Sequence, residues 1–188
     1  VRRLEVAGRG ADVLDQKRRS LLRHREQLAE RLAETVAAWE HQAAEAAQWN
    51  DRALAIAGVR RLRLASLHRG GRAEVTVVWR NALGTVFPAE AAVQLGQAAD
   101  FVALGGGSSV AHSARAHAEA LESAARYAAA RAAHEAISAE LAATTRRLRA
   151  IEHRWIPEHE AALRKLELML DERELEDAAR VRWALERQ

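Results

Sequence analysis

Residues 137–162 read ISAELAATTRRLRAIEHRWIPEHEAA. Ile137, Thr144 and Ile151 recur every seven residues, and Leu141, Leu148, Trp155 and Ala162 form a second row at the same interval. Rows interleaved at steps of three and four fall on one side of an α-helix. The resulting stripe is narrow and needs a partner helix to cover it. The alanines beside it let two backbones approach closely. Farther on, Leu163, Leu166 and Leu170 continue the apolar pattern.

The first third of the chain repeats the arrangement. Leu14, Leu21 and Leu28 are seven apart, with Leu4, Ala11, Leu32 and Trp39 on the companion positions and Arg18 and Arg25 interrupting them. Between Gly10 and Gly58 there is neither glycine nor proline, and after Gly107 the only breaker is Pro157. At a rise of about 1.5 Å per residue, two such arms span roughly 90 and 110 Å as helices. Helices of this kind draw most of their stability from the packing of an apolar stripe. The simplest cover for each arm is therefore the other, folded back antiparallel; pairing with a second copy is the alternative.

The middle differs from both arms. Of the charged residues, 22 lie in 1–65, only 6 in 66–112 and 27 in 113–188, and the remaining breakers cluster in the charge-poor stretch. Glu74-Val75-Thr76-Val77-Val78-Trp79-Arg80 is rich in β-branched and aromatic residues, and Val75, Val77 and Trp79 alternate onto one face of a strand. Asn81-Ala82-Leu83-Gly84 reads as a turn into Thr85-Val86-Phe87-Pro88. Leu62-Arg63-Leu64 with Gly70-Gly71 offers a further strand and turn, and residues 89–104 a short helix or loop. The Gly105-Gly106-Gly107 run is a linker, with Ser108 and Ser109 placed to cap the returning helix. The expected fold is mainly α: a long antiparallel two-helix coiled coil with a small central β-hairpin. Residues 1–58 form the N-terminal helix, 59–110 the central region and 111–188 the C-terminal helix.

Composition narrows the function. Aromatic residues make up 4% of the chain, too few for a thick globular core but enough for a thin helix pair. With no cysteine there are no disulfides, thiolate metal sites or cysteine nucleophiles. No apolar run approaches the roughly 20 residues that span a bilayer, and Val1-Arg2-Arg3-Leu4-Glu5 does not open like a signal peptide. The pI of about 10.1 rests on a net charge of only +3, with acids and bases interspersed. A nucleic-acid reader concentrates its basic charge on one face. His112 and His117 are five apart, His153 and His159 six apart, so neither pair shares a helix face as zinc-binding histidines do. Gly105–Ser109 lacks the lysine of a phosphate loop. The expectation is no catalytic residue, no metal and no cofactor. Trp39, Trp79 and Trp155 read as packing residues.

Thr144–Pro157 carries a more particular pattern. Its paired Arg146 and Arg147, then Ala150, Glu152, Ile156 and Pro157, resemble the C-terminal motif of the D subunits of V-type (vacuolar and archaeal-type) ATPases and ATP synthases. Leu148 and Ile151 are conservative departures, and Arg149 replaces an asparagine. Gly10–Leu21, with Leu14, Lys17 and Arg18, is similar to that family's N-terminal stretch, although Asp15 and Ser20 depart from it. The valine-rich strand, Asn81, Gly84, Val86 and Pro88 resemble its central hairpin. Within this motif Pro157 reads as a kink in one continuous helix.

The resemblance implies a non-catalytic central-stalk rotor that couples ATP hydrolysis or synthesis to ion translocation by rotation. Its implied partners are the catalytic A and regulatory B subunits of the hexamer, the small F protein of the central stalk and the subunit that caps the membrane ring. It implies a cytoplasmic place, peripheral to the membrane, with no direct insertion and no nucleic acid. Contacts with the hexamer are expected at Arg2, Arg3, Lys17, Arg18, Arg146, Arg147 and Arg154, and contacts with the small stalk protein at Val75, Val77, Trp79, Val86 and Phe87. Alternative functions are a coiled-coil stalk of a flagellar or type III export ATPase, against which the β segment argues, and a nucleic-acid-binding coiled coil with steep salt dependence.

Overall fold

A computed structural model describes residues 2–67, 72–96 and 107–186. Its elements, in order, are α1 (Arg2–Leu67), β1 (Glu74–Ala82), β2 (Thr85–Gln94), α2 (Gly107–Ala150), a single wide turn (Ile151–Trp155) and α3 (Ile156–Leu185). The chain is thus mainly α, with long N- and C-terminal helices and a two-stranded antiparallel hairpin between them, as its apolar periodicity predicts.

Helix α1 is bent at one residue. Gly58 has φ +76° and ψ 161° inside it, a conformation that glycine adopts without strain. Beyond the bend the helix resumes through Leu62-Arg63-Leu64, which the sequence offers as a strand. Alanine, arginine and leucine dominate residues 60–67 and are strong helix formers. Gly70 and Gly71 lie outside the described residues.

The hairpin closes through Leu83 and Gly84, at φ +54° and +85°. Positive φ at both central residues is the type I′ turn, whose twist matches that of the strands it joins. The Gly84 N–H donates to Asn81 Oδ1 at 3.1 Å. Pairing runs from Ala82 opposite Thr85 to Glu74 opposite Gln94, with a bulge that leaves Ala89 as an extra residue between Pro88 and Glu90. Residues 89–94 are therefore strand, where the sequence suggests helix or loop. Their alanines carry little strand preference, and pairing with Val75–Val78 decides the matter. Residues 97–106, which include most of the anticipated linker, are outside the described residues. Helix α2 begins at Gly107, so Ser108 and Ser109 lie within its first turn rather than ahead of it.

The chain divides into two compact units. Unit 2 comprises Leu21–Glu140. Its core is thin and small-residued: Leu21, Ala46 and Ala53 from α1, with Val110, Ala116, Ala129, Ala130, Ala133 and Ile137 from α2. Trp39 stacks on Tyr127 at 5.2 Å between ring centres, and Trp49 on His112 at 4.6 Å. As numbering rises along α1 it falls along α2, so the two run antiparallel here. Arg52 lies over the Trp49 ring at 4.8 Å, a cation–π contact that extends the stack.

Unit 1 comprises residues up to Ser20 and from Leu141 onward. Ala11, Leu141, Thr144 and Leu148 are its buried residues. Pro157 neither breaks the helix nor stands in its regular interior. The Ile156 N–H bonds to Ile151 O, one residue farther back than in an α-helix, and Pro157 then sits in the first turn of α3. The wide turn lies directly before the proline, where a helix that runs on past a proline is expected to depart from regular pairing. The wide turn also serves packing. Ile151, Trp155, His159 and Leu163 are all half-buried at four-residue steps, and such steps overrun the 3.6-residue α turn. A wider turn keeps them closer to one face.

Candidate functional site

Lacking a catalytic constellation, the chain offers surfaces. The first is the arginine-rich part of unit 1, residues 1–20 and 141–150. Residues 1–20 hold six basic and three acidic side chains, and residues 141–150 hold three arginines and no acid. Several exposed arginines elsewhere find a carboxylate one turn away: Arg126 with Glu122, Arg131 with Glu135, Arg180 with Glu176. Arg146 and Arg147 have no such neighbour. The residues four positions before and after them are Ala142, Ala143, Ala150 and Ile151, so no intrahelical ion pair is open to them. Both are exposed.

The other sequence-nominated cations differ from this pair. Arg154 reaches Glu158 at 3.3 Å. Arg18 donates through Nε and Nη2 to Asp15 Oδ1 at 2.9 and 2.6 Å, while Arg19 holds the other Asp15 oxygen at 2.6 Å. The Arg18 hydrogen bonds lead in holding the Asp15 carboxyl below its ordinary pKa; partial desolvation works against them, and the charges of Arg19 and Arg18 add to the lowering. Lys17 is half-buried. Asp15 therefore occupies two guanidinium groups at once.

Arg2 and Arg3 have a different setting. With Val6, Ala7, Ile151 and Trp155 they line an open hollow of about 650 Å³. Trp155 stacks on His159 at 3.8 Å, and the His159 Nδ1–H donates to the Trp155 carbonyl at 2.9 Å, which fixes the imidazole on the indole. The hollow is apolar along its floor, with guanidinium groups beside it. It suits a partner's apolar side chain flanked by a carboxylate. Nothing in the spacing of Arg2 or Trp155 along the sequence reveals it.

The second surface is the hairpin. Val75, Val77 and Trp79 share one face of β1, and Val86, opposite Asn81, joins them. They are 50%, 36%, 61% and 57% exposed. Trp79, read from sequence as a packing residue, is thus an exposed indole. Phe87 is paired with Arg80 on the opposite face and is buried, as are Pro88 and Ala89. Four of the five nominated residues come together, and the fifth is buried on the opposite face.

The third surface is the far part of α3. From Arg164 to Glu186 every side chain described is exposed. Leu166 and Leu170, expected beneath a partner helix, are 55% and 52% exposed, and Leu168, Met169, Leu175 and Trp183 are similarly open. Among the described residues no three His, Asp or Glu side chains gather as metal ligands do, and no helix is long and apolar enough to cross a membrane.

The family model for the D subunits of ATP synthases matches residues 1–186. No curated protein matches the chain.

Proposed function

The chain belongs to the family of ATP synthase D subunits, and from that premise we propose that it is the central-stalk rotor of a V-type ATPase or ATP synthase. In this role it couples ATP hydrolysis or synthesis in the catalytic hexamer to ion translocation, without catalysing either. The observation that carries the reading is the family match along the whole helix–hairpin–helix chain. Residues 1–58 and 111–188 form the shaft and residues 59–110 the partner-binding region. Its partners are the catalytic A and regulatory B subunits, the small F protein of the stalk and the subunit capping the membrane ring, on the cytoplasmic side and peripheral to the membrane.

The physical basis is a contact energy that changes with angle. A rotor must bind successive catalytic subunits unequally as it turns, because only a difference in affinity shifts a conformational equilibrium. Arg146 and Arg147, exposed and without an acid one turn away, are the strongest candidates for such contacts, joined by Arg2 and Arg3 at the apolar hollow. Lys17, Arg18 and Arg154 complete the set, with weaker individual effects where Asp15 and Glu158 already engage them. Val75, Val77, Trp79 and Val86 form the contact with the small stalk protein, and Phe87 positions them.

Affinity capture of the tagged chain from native membranes tests the role. Recovery of two large ATPase subunits and a small stalk protein in fixed ratio is expected; recovery of export components or nucleic acid overturns it. Within the assembled complex, the R146E/R147E double substitution is expected to weaken hexamer binding about tenfold or more or to uncouple ATP turnover from ion transport. Unchanged binding and coupling remove these arginines from the interface.

A further inference from the structure

The two strands of the hairpin treat their outer edges differently. On β2, Pro88 has no N–H to offer and Ala89 bulges out of register. Proline and bulges are both devices that spoil an edge as a template for another strand. Phe87, Pro88 and Ala89 are also buried. Strand β1 has no such protection. It contains no proline, it is not the bulged strand, and every residue from Glu74 to Asn81 is exposed. Among the described residues β2 is its only hydrogen-bonded neighbour, so its outer row of backbone groups faces no strand.

The sequence of that edge is self-complementary. When two copies of Glu74-Val75-Thr76-Val77-Val78-Trp79-Arg80 lie antiparallel about Val77, Glu74 faces Arg80, Val75 faces Trp79 and Thr76 faces Val78. A twofold axis repeats each pair. Opposite charges and aromatic–β-branched pairs are favourable cross-strand neighbours. Other registers lose this match. Centring on Thr76 sets Arg72 against Arg80, and centring on Val78 sets Glu74 against Ala82. The matched register also keeps Val75, Val77 and Trp79 of both copies on one face, because paired residues project to the same side of a sheet.

We propose that the free chain forms a twofold dimer in which two β1 strands pair edge to edge about Val77, making a four-stranded antiparallel sheet. The occupant of the edge is a second copy of this chain, and the charge match between Glu74 and Arg80 selects it. Such an isologous contact closes on itself and does not propagate, and the outer β2 edges carry the proline and the bulge that stop further growth. The inference concerns the unassembled protein and does not depend on the rotor assignment.

The test is sedimentation equilibrium of the purified full-length chain over a wide concentration range. The parent chain is expected to show a monomer–dimer equilibrium. Glu74→Arg alone and Arg80→Glu alone each place like charges opposite one another twice, which raises the dimer dissociation constant about tenfold or more. The double swap E74R/R80E restores it. Arg80→Glu also removes the 3.8 Å pair with Glu90, so the decisive sample is an equimolar mixture of the two single variants. Their edges are complementary to each other though not to themselves, and heterodimers are expected. A parent chain that stays monomeric at every concentration overturns the proposal. So does a dimer indifferent to both substitutions, which places the contact elsewhere, or a mixture that fails to associate.

Discussion

Unit 2 and the far part of α3 are built from similar apolar spacings and end in opposite states. Along residues 108–140, α2 buries Val110, Ala116, Ala129, Ala130, Ala133 and Ile137, whereas α3 beyond Leu163 leaves Leu166, Leu168, Leu170 and Leu175 open. Large side chains are exposed where small ones are buried. Alanine contributes little apolar area, yet within unit 2 it faces a second helix at close range. Leucine on α3 has more area and no facing helix among the described residues. An apolar stripe is thus a demand for a cover, and it leaves open whether the same chain or another protein supplies it.

The largest effect expected from this contrast comes from truncating one side chain in each region. Ile137 is fully buried, and Ile137→Ala is expected to lower the unfolding free energy by about 3 kcal/mol through lost burial and a residual cavity. Leu168→Ala, at a position 60% exposed, should change it by no more than about 0.5 kcal/mol. Urea unfolding followed by circular dichroism measures both. Equal losses would mean that α3 is covered in the free protein, and the distinction would fail.

Overfilling the thin seam sharpens the same point. Ala133 is 1% exposed, so Ala133→Leu forces three additional carbons into a closely packed helix pair and is expected to cost about 2 kcal/mol. On α3 the reverse exchange, Leu170→Ala, removes the same bulk from an open surface. It should leave the unfolding midpoint nearly unshifted while weakening capture of whatever partner covers α3. A seam that accepts leucine without loss is looser than its buried alanines indicate.

Much of this contrast is legible in the sequence, and the failures have identifiable causes. The heptads announce two helices, and the breaker-rich middle with its alternating valines announces the hairpin. The hairpin turn at Leu83-Gly84 lies within the tetrapeptide read as a turn. Leu62–Leu64 deceives because a short apolar alternation fits either a strand or a helix flank, and helix propensity across residues 60–67 prevails. Residues 89–94 deceive in the other direction, since their strand character comes from pairing across the turn. Among the candidate contacts, the openness of Arg146 and Arg147 follows from the alanines one turn away and is readable. The capture of Arg18 by Asp15 is also implicit in the spacing. The hollow beside Arg2 and the burial of Phe87 depend on tertiary placement that no local pattern encodes.

Pro157 probes how the helix of unit 1 accommodates an irregularity, as Gly58 does in α1 of unit 2. Proline inside a regular helix costs about 3 kcal/mol, yet the wide turn at Ile151–Trp155 lies directly before Pro157 and replaces the regular pairing on whose disruption that cost rests. Pro157→Ala is therefore expected to change the unfolding free energy by less than about 1 kcal/mol, measured in the same urea experiment. A gain near the full proline cost would show the wide turn to be strained by the proline rather than matched to it, and to the four-residue spacing of Ile151, Trp155, His159 and Leu163.

The smallest effect lies in the hairpin, where turn chemistry rather than helix packing sets local stability. Leu83 holds φ +54° with its side chain 42% exposed. A left-handed conformation costs an ordinary L-residue about 1–2 kcal/mol, and asparagine tolerates it better. Leu83→Asn would also place Asn before Gly84, the pairing that type I′ turns favour, and would leave the Asn81–Gly84 hydrogen bond in place. The expected gain is about 0.5–1 kcal/mol in the local opening free energy of the hairpin. Hydrogen exchange should register it as about two- to fivefold slower exchange of β1 and β2 amides, with α1 and α2 amides unchanged. Slower exchange confined to the strands would identify the hairpin as a separately opening element. Faster exchange would mean that the exposed leucine is held by contacts worth more than the backbone strain it imposes.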